Sequence, residues 1–440
     1  MRRIQQTVLT SLRRISLGGI TLTIAGMPYR IASTRPRRAG ALVLGCSLIV
    51  AAAPACAQQP SATDPRDWIQ GIVGASVAHD DNLYRLSSGT DPNTALGRSS
   101  KGSDIYTANV GVKIDKPYSL QRFQLDAMAT DYRYSNASYL NWTGIDYRAA
   151  WLWQLTPRLG GELSATRVQS LASFAEYRNF NTRNVQTVQT QRANLDWWVE
   201  GAWHVLAGLV QTEARNTATF NAVGDFDQTT LEGGARYVTR EDNSLTLTAR
   251  EGRGRYQGRA IDNVALLDNG FDQHELEARG IWRVSAQSML DGRLAYLERK
   301  HNNFSQRDFH GPVGRLDYVW TPTAKLRFDF TAARNLYSFQ EAANSYYVAE
   351  TLAVAPVWQI SEKTSARLKL EHIKREYRGA VTAGSPQRND TLRGVGLYGE
   401  WLATRALTLS AEARREQRSS NLAGFDYRAN IVGVKAQFRF

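Results

Sequence analysis

Val432-Gly433-Val434-Lys435-Ala436-Gln437-Phe438-Arg439-Phe440 ends the chain with a two-residue alternation. Phe440, Phe438, Ala436, Val434 and Val432 fall on one face. Arg439, Gln437, Lys435 and Gly433 fall on the other. A β-strand has this period, so the segment has one apolar and one polar side. An amphipathic last strand with an aromatic final residue is the expected closing strand of a transmembrane β-barrel. Phe438 and Phe440 are its candidate assembly signal.

The same alternation recurs upstream. Leu326, Phe328, Phe330 and Ala332 stand against Arg327, Asp329 and Thr331. Leu368 and Leu370 stand against Arg367, Lys369 and Glu371. Leu407, Leu409, Ala411 and Ala413 stand against Thr408, Ser410, Glu412 and Arg414. Charges at every second residue disfavour a helix with one apolar stripe. Very short turns join consecutive segments at Ser285-Ala286-Gln287, Thr321-Pro322-Thr323-Ala324, Ser361-Glu362-Lys363 and Ala403-Thr404-Arg405. Trp282, Trp320, Trp358 and Trp401 each sit just before such a turn, 38, 38 and 43 residues apart, and Trp153 and Trp203 hold the same place earlier. Trp favours the membrane–water boundary, so these six read as an aromatic girdle. A period near 40 also suits a β-propeller. A propeller blade needs four short strands in that length, whereas here two long ones fill it.

Counting gives about eighteen strands, within a range of 16–18. They start near Ile69, Ser103, Leu120, Trp142, Leu159, Arg192, Ala207, Asp227, Ser244, Phe271, Ser288, Gly311, Lys325, Tyr346, Thr364, Thr391, Ala406 and Phe425. An even number returns both ends to the periplasmic side. The longer connections, expected to face outward from the cell, lie near Asp80–Gly102, Val168–Gln191, Gln257–Gly270, Lys300–Phe309 and Gly379–Asp390. The expected class is all-β: a single antiparallel transmembrane barrel over 69–440, after a signal peptide at 1–57 and a short periplasmic lead at 58–68.

The signal is read from Arg30, Arg35, Arg37 and Arg38, the apolar run Ala41–Ala53, and Ala55-Cys56-Ala57 before Gln58. Met27 is an alternative start. The whole chain is formally +13, but residues 1–57 hold eight arginines and no acids. Without them, 46 basic residues face 41 acidic ones, a net of +5. The basicity therefore gives no support to nucleic-acid binding. Both cysteines, Cys46 and Cys56, fall in the signal, so a disulfide or a cysteine metal site in the mature chain is excluded. Beyond the signal no stretch reaches the roughly 18 apolar residues of a spanning helix.

An eighteen-strand barrel is too wide for wall side chains to fill, so it encloses an aqueous lumen unless something plugs it. The expected lining set is Lys325, Arg327, Asp329, Arg367, Lys369, Glu371, Arg393, Glu412, Arg414, Lys435 and Arg439. Acids are interleaved, which favours a salt-bridged lining over a purely basic, anion-attracting strip. His79-Asp80-Asp81-Asn82-Leu83-Tyr84-Arg85 follows the first strand. Its Asp and Asn oxygens suit Ca²⁺ in type, but the ligand series is too short for an EF-hand, and an Asx-bonded turn is the simpler expectation. The histidines (His79, His204, His274, His301, His310 and His372) form no motif with Ser, Asp or Glu, so no catalytic residue and no cofactor is expected.

A first strand leading into Asp81-Asn82-Leu83-Tyr84-Arg85, with a signal peptide, a cysteine-free barrel and a terminal Phe, resembles the EpsL-type outer-membrane barrels of exopolysaccharide operons, related to the β-barrel porin 2 group. That family usually has Phe where this chain has Tyr84. The resemblance implies export of a polysaccharide chain across the outer membrane, with a periplasmic export protein and the barrel-assembly machinery as partners besides outer-membrane lipid. It supplies no catalytic residues. A small-solute diffusion porin is the alternative, and a barrel enzyme the more distant one.

Overall fold

The computed structural model describes residues 13–17, 20–24, 68–176, 178, 180–218, 224–339, 344–380, 384 and 386–440. Within the stretch read as a signal, β1 (Arg13–Leu17) and β2 (Ile20–Ile24) pair antiparallel. The run Ala41–Ala53, both cysteines and the cleavage motif lie outside the described residues.

The barrel begins with β3 (Ile69–Asp80), β4 (Ser103–Tyr118), β5 (Gln121–Tyr134), β6 (Trp142–Thr156), β7 (Leu159–Leu171) and β8 (Val185–Glu200). It continues with β9 (Trp203–Asn216), β10 (Phe226–Val238), β11 (Ser244–Tyr256), β12 (Gly270–Ser285), β13 (Ser288–His301) and β14 (Phe309–Thr323). It ends with β15 (Leu326–Ser338), β16 (Tyr346–Ser361), β17 (Thr364–Arg378), β18 (Asn389–Leu402), β19 (Leu407–Ser420) and β20 (Tyr427–Arg439). Each strand pairs antiparallel with its sequence neighbours, and β20 pairs with β3 from Ile431–Asp80 to Arg439–Ile72. The eighteen strands thus form a closed ring with no free edge.

Alternation sets the walls. Val73, Val77, Val110, Leu209, Leu231, Leu247, Leu276, Leu294, Leu352, Leu370, Leu397, Val432 and Val434 are exposed on the outside, where lipid replaces water. Trp203, Trp282, Trp320, Trp358 and Trp401 are exposed at the short-turn end of that belt. Trp153 lies there too, flat over Gly161, where a Cβ would collide with its ring. Trp151 and Trp197 add to the same girdle.

Strands of 12–16 residues exceed the ~10 needed to cross the hydrocarbon, and the excess reverses the pattern. In β20, Val432 and Val434 face lipid, with Gly433 and Lys435 inside. Above them Arg428 and Asn430 are exposed outside, while Tyr427, Ala429 and Ile431 are buried inside. The outer face meets water there, and the inner face meets packed loops. This reversal explains one difference from the expected boundaries. β8 starts at Val185 rather than near Arg192, because Val185–Gln191 is a polar-faced strand above the lipid that reads like a loop. β9 starts at Trp203 rather than near Ala207 for a different reason: it lies at the short-turn end, where Trp203 and Val205 already alternate outward with buried His204.

Candidate functional site: the charged lumen and its crossing loop

The lumen wall is laced with ion pairs between neighbouring strands. On β8–β13, Arg192 meets Glu232 at 2.9 Å, and Arg250 meets Glu232 at 3.0 Å, Glu275 at 2.5 Å and Glu277 at 2.8 Å. Arg293 joins the same carboxylates, at 2.6 Å to Glu275. Below them Asp196 accepts from Arg236 and lies 2.7 Å from His204 Nδ1, with His204 stacked beside Trp198. On the early strands Arg122 pairs with Asp115 at 2.5 Å, and Lys113 with Asp126 at 3.3 Å.

The expected lining residues mostly take inward positions. Arg327 lies 3.0 Å from Asp329, Lys369 lies 2.9 Å from Glu371, and Arg414 lies 3.4 Å from Glu416. Arg367 faces Asp329 at 3.9 Å. Glu412, Lys435 and Arg439 are inward by register with these. Two residues of the set are elsewhere. Lys325 is exposed in the two-residue turn before β15. Arg393 is exposed on the outer face, because it shares the face of lipid-facing Val395 and Leu397. It sits above the lipid, where the outer face turns polar, and charge alone misleads there.

The segment Asp81–Arg85 is a staple across the seam of the barrel. Asp81 accepts from Asn430 N at 2.7 Å and from Asn430 Nδ2 at 2.6 Å. Asn82 Nδ2 donates to Leu86 O and to Arg428 O, both at 2.8 Å, and its Oδ1 accepts from Leu86 N at 2.9 Å. Arg85, at φ 55°, donates to Asp80 at 2.8 Å and approaches Glu416 at 3.5 Å. The acidic oxygens are thus committed to protein donors, as an Asx-bonded turn requires. Tyr84 turns the other way. It packs on Phe174, ring centroids 5.1 Å apart, among Leu86, Leu96, Tyr134, Ala137 and Leu140. Three outer loops therefore share one small apolar core inside the mouth of the barrel.

From that core the 172–184 loop crosses the barrel. β7 and β18 are seven places apart around the eighteen-strand ring, close to opposite. Glu176, in this loop, nonetheless bonds the far wall. Its Oε1 accepts from Arg418 at 2.8 Å and Arg375 at 2.9 Å. Its Oε2 accepts from Tyr377 at 2.9 Å and Arg388 at 3.0 Å. Arg418 also donates to Ala175 O at 2.6 Å, and the Arg178 guanidinium lies 4.3 Å from the Phe425 ring, where it donates to Gly424 O. Burial alone would raise the Glu176 pKa, but Arg418, Arg388 and Arg375 hold it down to about 2. Glu176 and its cations did not stand out in the sequence. The available signal was Phe174 and Phe180, two phenylalanines in a loop otherwise polar enough to be solvated.

No curated protein matches the chain. Several solved outer-membrane proteins are similar in shape. OpdK of Pseudomonas aeruginosa, solved with vanillate, shares 10% identity over 84% of this chain and 99% of its own, with a TM-score of 0.48. OccAB3 of Acinetobacter baumannii shares 10% over 84% and 99%, at 0.49. A BenF-like porin of Pseudomonas fluorescens Pf-5 shares 8% over 84% and 98%, at 0.48. A closed ring with a lipid belt outside, an aromatic girdle and a polar lumen makes the chain a porin-like outer-membrane β-barrel, and its residues 293–440 match the family model described as "Putative beta-barrel porin 2".

Proposed function

We propose that the barrel is a passive diffusion channel for small polar solutes, narrowed by the 172–184 loop. The observation that carries this is the Glu176 latch, which holds the loop against the opposite wall through buried, charge-assisted hydrogen bonds. A hydrated sugar or small acid can exchange its water for the alternating Arg, Asp and Glu of the wall. The wall offers many weak contacts and no single tight one, so a solute can move on. Energy comes from the solute gradient.

Export of a polysaccharide, implied by the resemblance at Asp81–Arg85, is the second reading. A polymer would need this loop displaced along its whole passage. Removal of residues 173–182 separates the two. In planar bilayers the diffusion channel gains conductance on removal, and liposome swelling extends to larger sugars. Unchanged conductance and size limit would reject the loop as the constriction. Deleting the gene tests export: polymer lost outside the cell and retained in the periplasm would favour the conduit over the diffusion channel.

A further inference from the structure

Just above the lipid belt the outer face of the barrel is charged, and most of its cations stand beside a carboxylate. Arg133 meets Asp131 at 2.6 Å, Lys300 meets Glu298 at 3.1 Å, Arg253 meets Asp272 at 3.3 Å and Arg334 meets Glu350 at 3.5 Å. Along β18–β20 this pattern stops. Arg393, Arg415 and Arg428 are exposed on three consecutive strands. Arg393 is opposite His372 on one side and Gln417 on the other, and Gln417 is opposite Arg428. Arg415 is opposite Val395 and Asn430. The outward positions between these cations carry no carboxylate. The nearest acids bound the patch: Glu350 is opposite Lys374 and shared with Arg334, Glu376 is paired with Arg378, Asp81 is bonded to Asn430, and Asp426 accepts from Ser420 N.

Neighbouring strands lie about 4.8 Å apart, so the guanidiniums of Arg393, Arg415 and Arg428 fall within a patch about 10 Å wide. Like charges this close repel one another unless an anion joins them. Guanidinium groups match phosphate oxygens in a two-pronged geometry. Directly below lie the exposed Leu370, Val395, Leu397, Val432 and Val434, which face hydrocarbon. An occupant must carry anionic oxygens at one end and acyl chains at the other. We propose that the outer face of β18–β20 binds a phosphorylated lipid of the external leaflet, with its phosphate on Arg393, Arg415 and Arg428 and its chains along the apolar residues beneath.

The test uses the full chain in zwitterionic detergent, with bound lipid read by native mass spectrometry. The probes are phosphorylated lipid A and its phosphate-free form. The first variant carries Arg393→Gln, Arg415→Gln and Arg428→Gln. The second carries Arg133→Gln, Arg253→Gln and Lys300→Gln on the paired part of the rim. Loss of about tenfold or more in the first variant, equivalent to one charge-assisted hydrogen bond, is expected, with little change in the second. If the first variant fails to fold, Arg415→Gln alone is expected to weaken binding several-fold. Equal retention by all variants would overturn the proposal. So would equal retention of the phosphate-free lipid, which marks a purely apolar contact.

Discussion

At the scale of single residues, Glu176 sets the acid tolerance of the loop latch. Its carboxyl is lowered from an ordinary 4.5 to about 2. A depressed carboxylate contributes its full stabilisation above 4.5 and loses it only as pH falls toward about 2. Channel conductance is therefore expected to stay level from neutral pH down to about 4.5 and to rise only in stronger acid; a rise centred near pH 6 would assign the latch to another group. Asn82 is the second such residue. Asn82→Ala leaves Leu86 N and Arg428 O without their buried partners, at a cost of about 1–3 kcal/mol. A lower unfolding temperature of the purified barrel is expected, and an unchanged one would mean that the seam does not depend on the staple. The sequence made Asp81–Arg85 visible as a segment, but not its role. Arg428 and Asn430 lie almost 350 residues away, and only ring closure brings them near. Glu176 was hidden for the same reason, its partners being some 200–240 residues distant. Arg393 was visible but misassigned, because lumen and outer rim both accept a charge.

At the scale of elements, alternation was enough to place most strands, since lipid demands apolar side chains on one face and backbone pairing on both edges. The regular second half was read to within two residues at most starts, as at Ser288, Tyr346 and Thr364. The strands with extramembrane ends were read short, because both faces of Val185–Gln191 are polar or contact loops. The closing element can be tested directly. Phe440 O accepts from Gly71 N at 2.7 Å, Phe440 N donates to Gly71 O at 3.1 Å, and the Phe440 ring stacks on Phe438. A Cβ at Gly71 would lie 2.5 Å from that ring. Gly71→Leu and deletion of Phe440 should therefore act alike. Both are expected to slow membrane insertion, read as less of the heat-modifiable folded band in outer-membrane fractions. Normal insertion of both would remove the aromatic terminus from the assembly step.

At the scale of the whole molecule, the wall charges act as a set. Arg327 and Arg367 share Asp329, while Lys435 stands on the same arc of the lumen. Reversing all three to Glu removes the counter-charges of Asp329 and makes that arc acidic. The reversal potential in a salt gradient is expected to move toward cation preference, with the barrel still folded; an unmoved potential would place the selectivity elsewhere. That a polar, mixed-charge interior lies behind an apolar exterior was readable from alternation, because a low mean hydropathy of −0.41 and a lipid belt agree only in a barrel. The mouth was not readable. It is built by loops meeting across a ring, and no local pattern encodes such a meeting. The staple from Asn82 to the β20 backbone, and the reach of Glu176 to β17 and β19, both span strands that become neighbours or opposites only in the finished ring. The order of events at birth follows from this. A nascent curved sheet, still open at its seam, has nothing for these loops to grip, so the crossing loop cannot latch before the circumference is complete. Protease cleavage within the 172–184 loop should accordingly serve as a clock for closure, with cutting ceasing when the last strand finds the first.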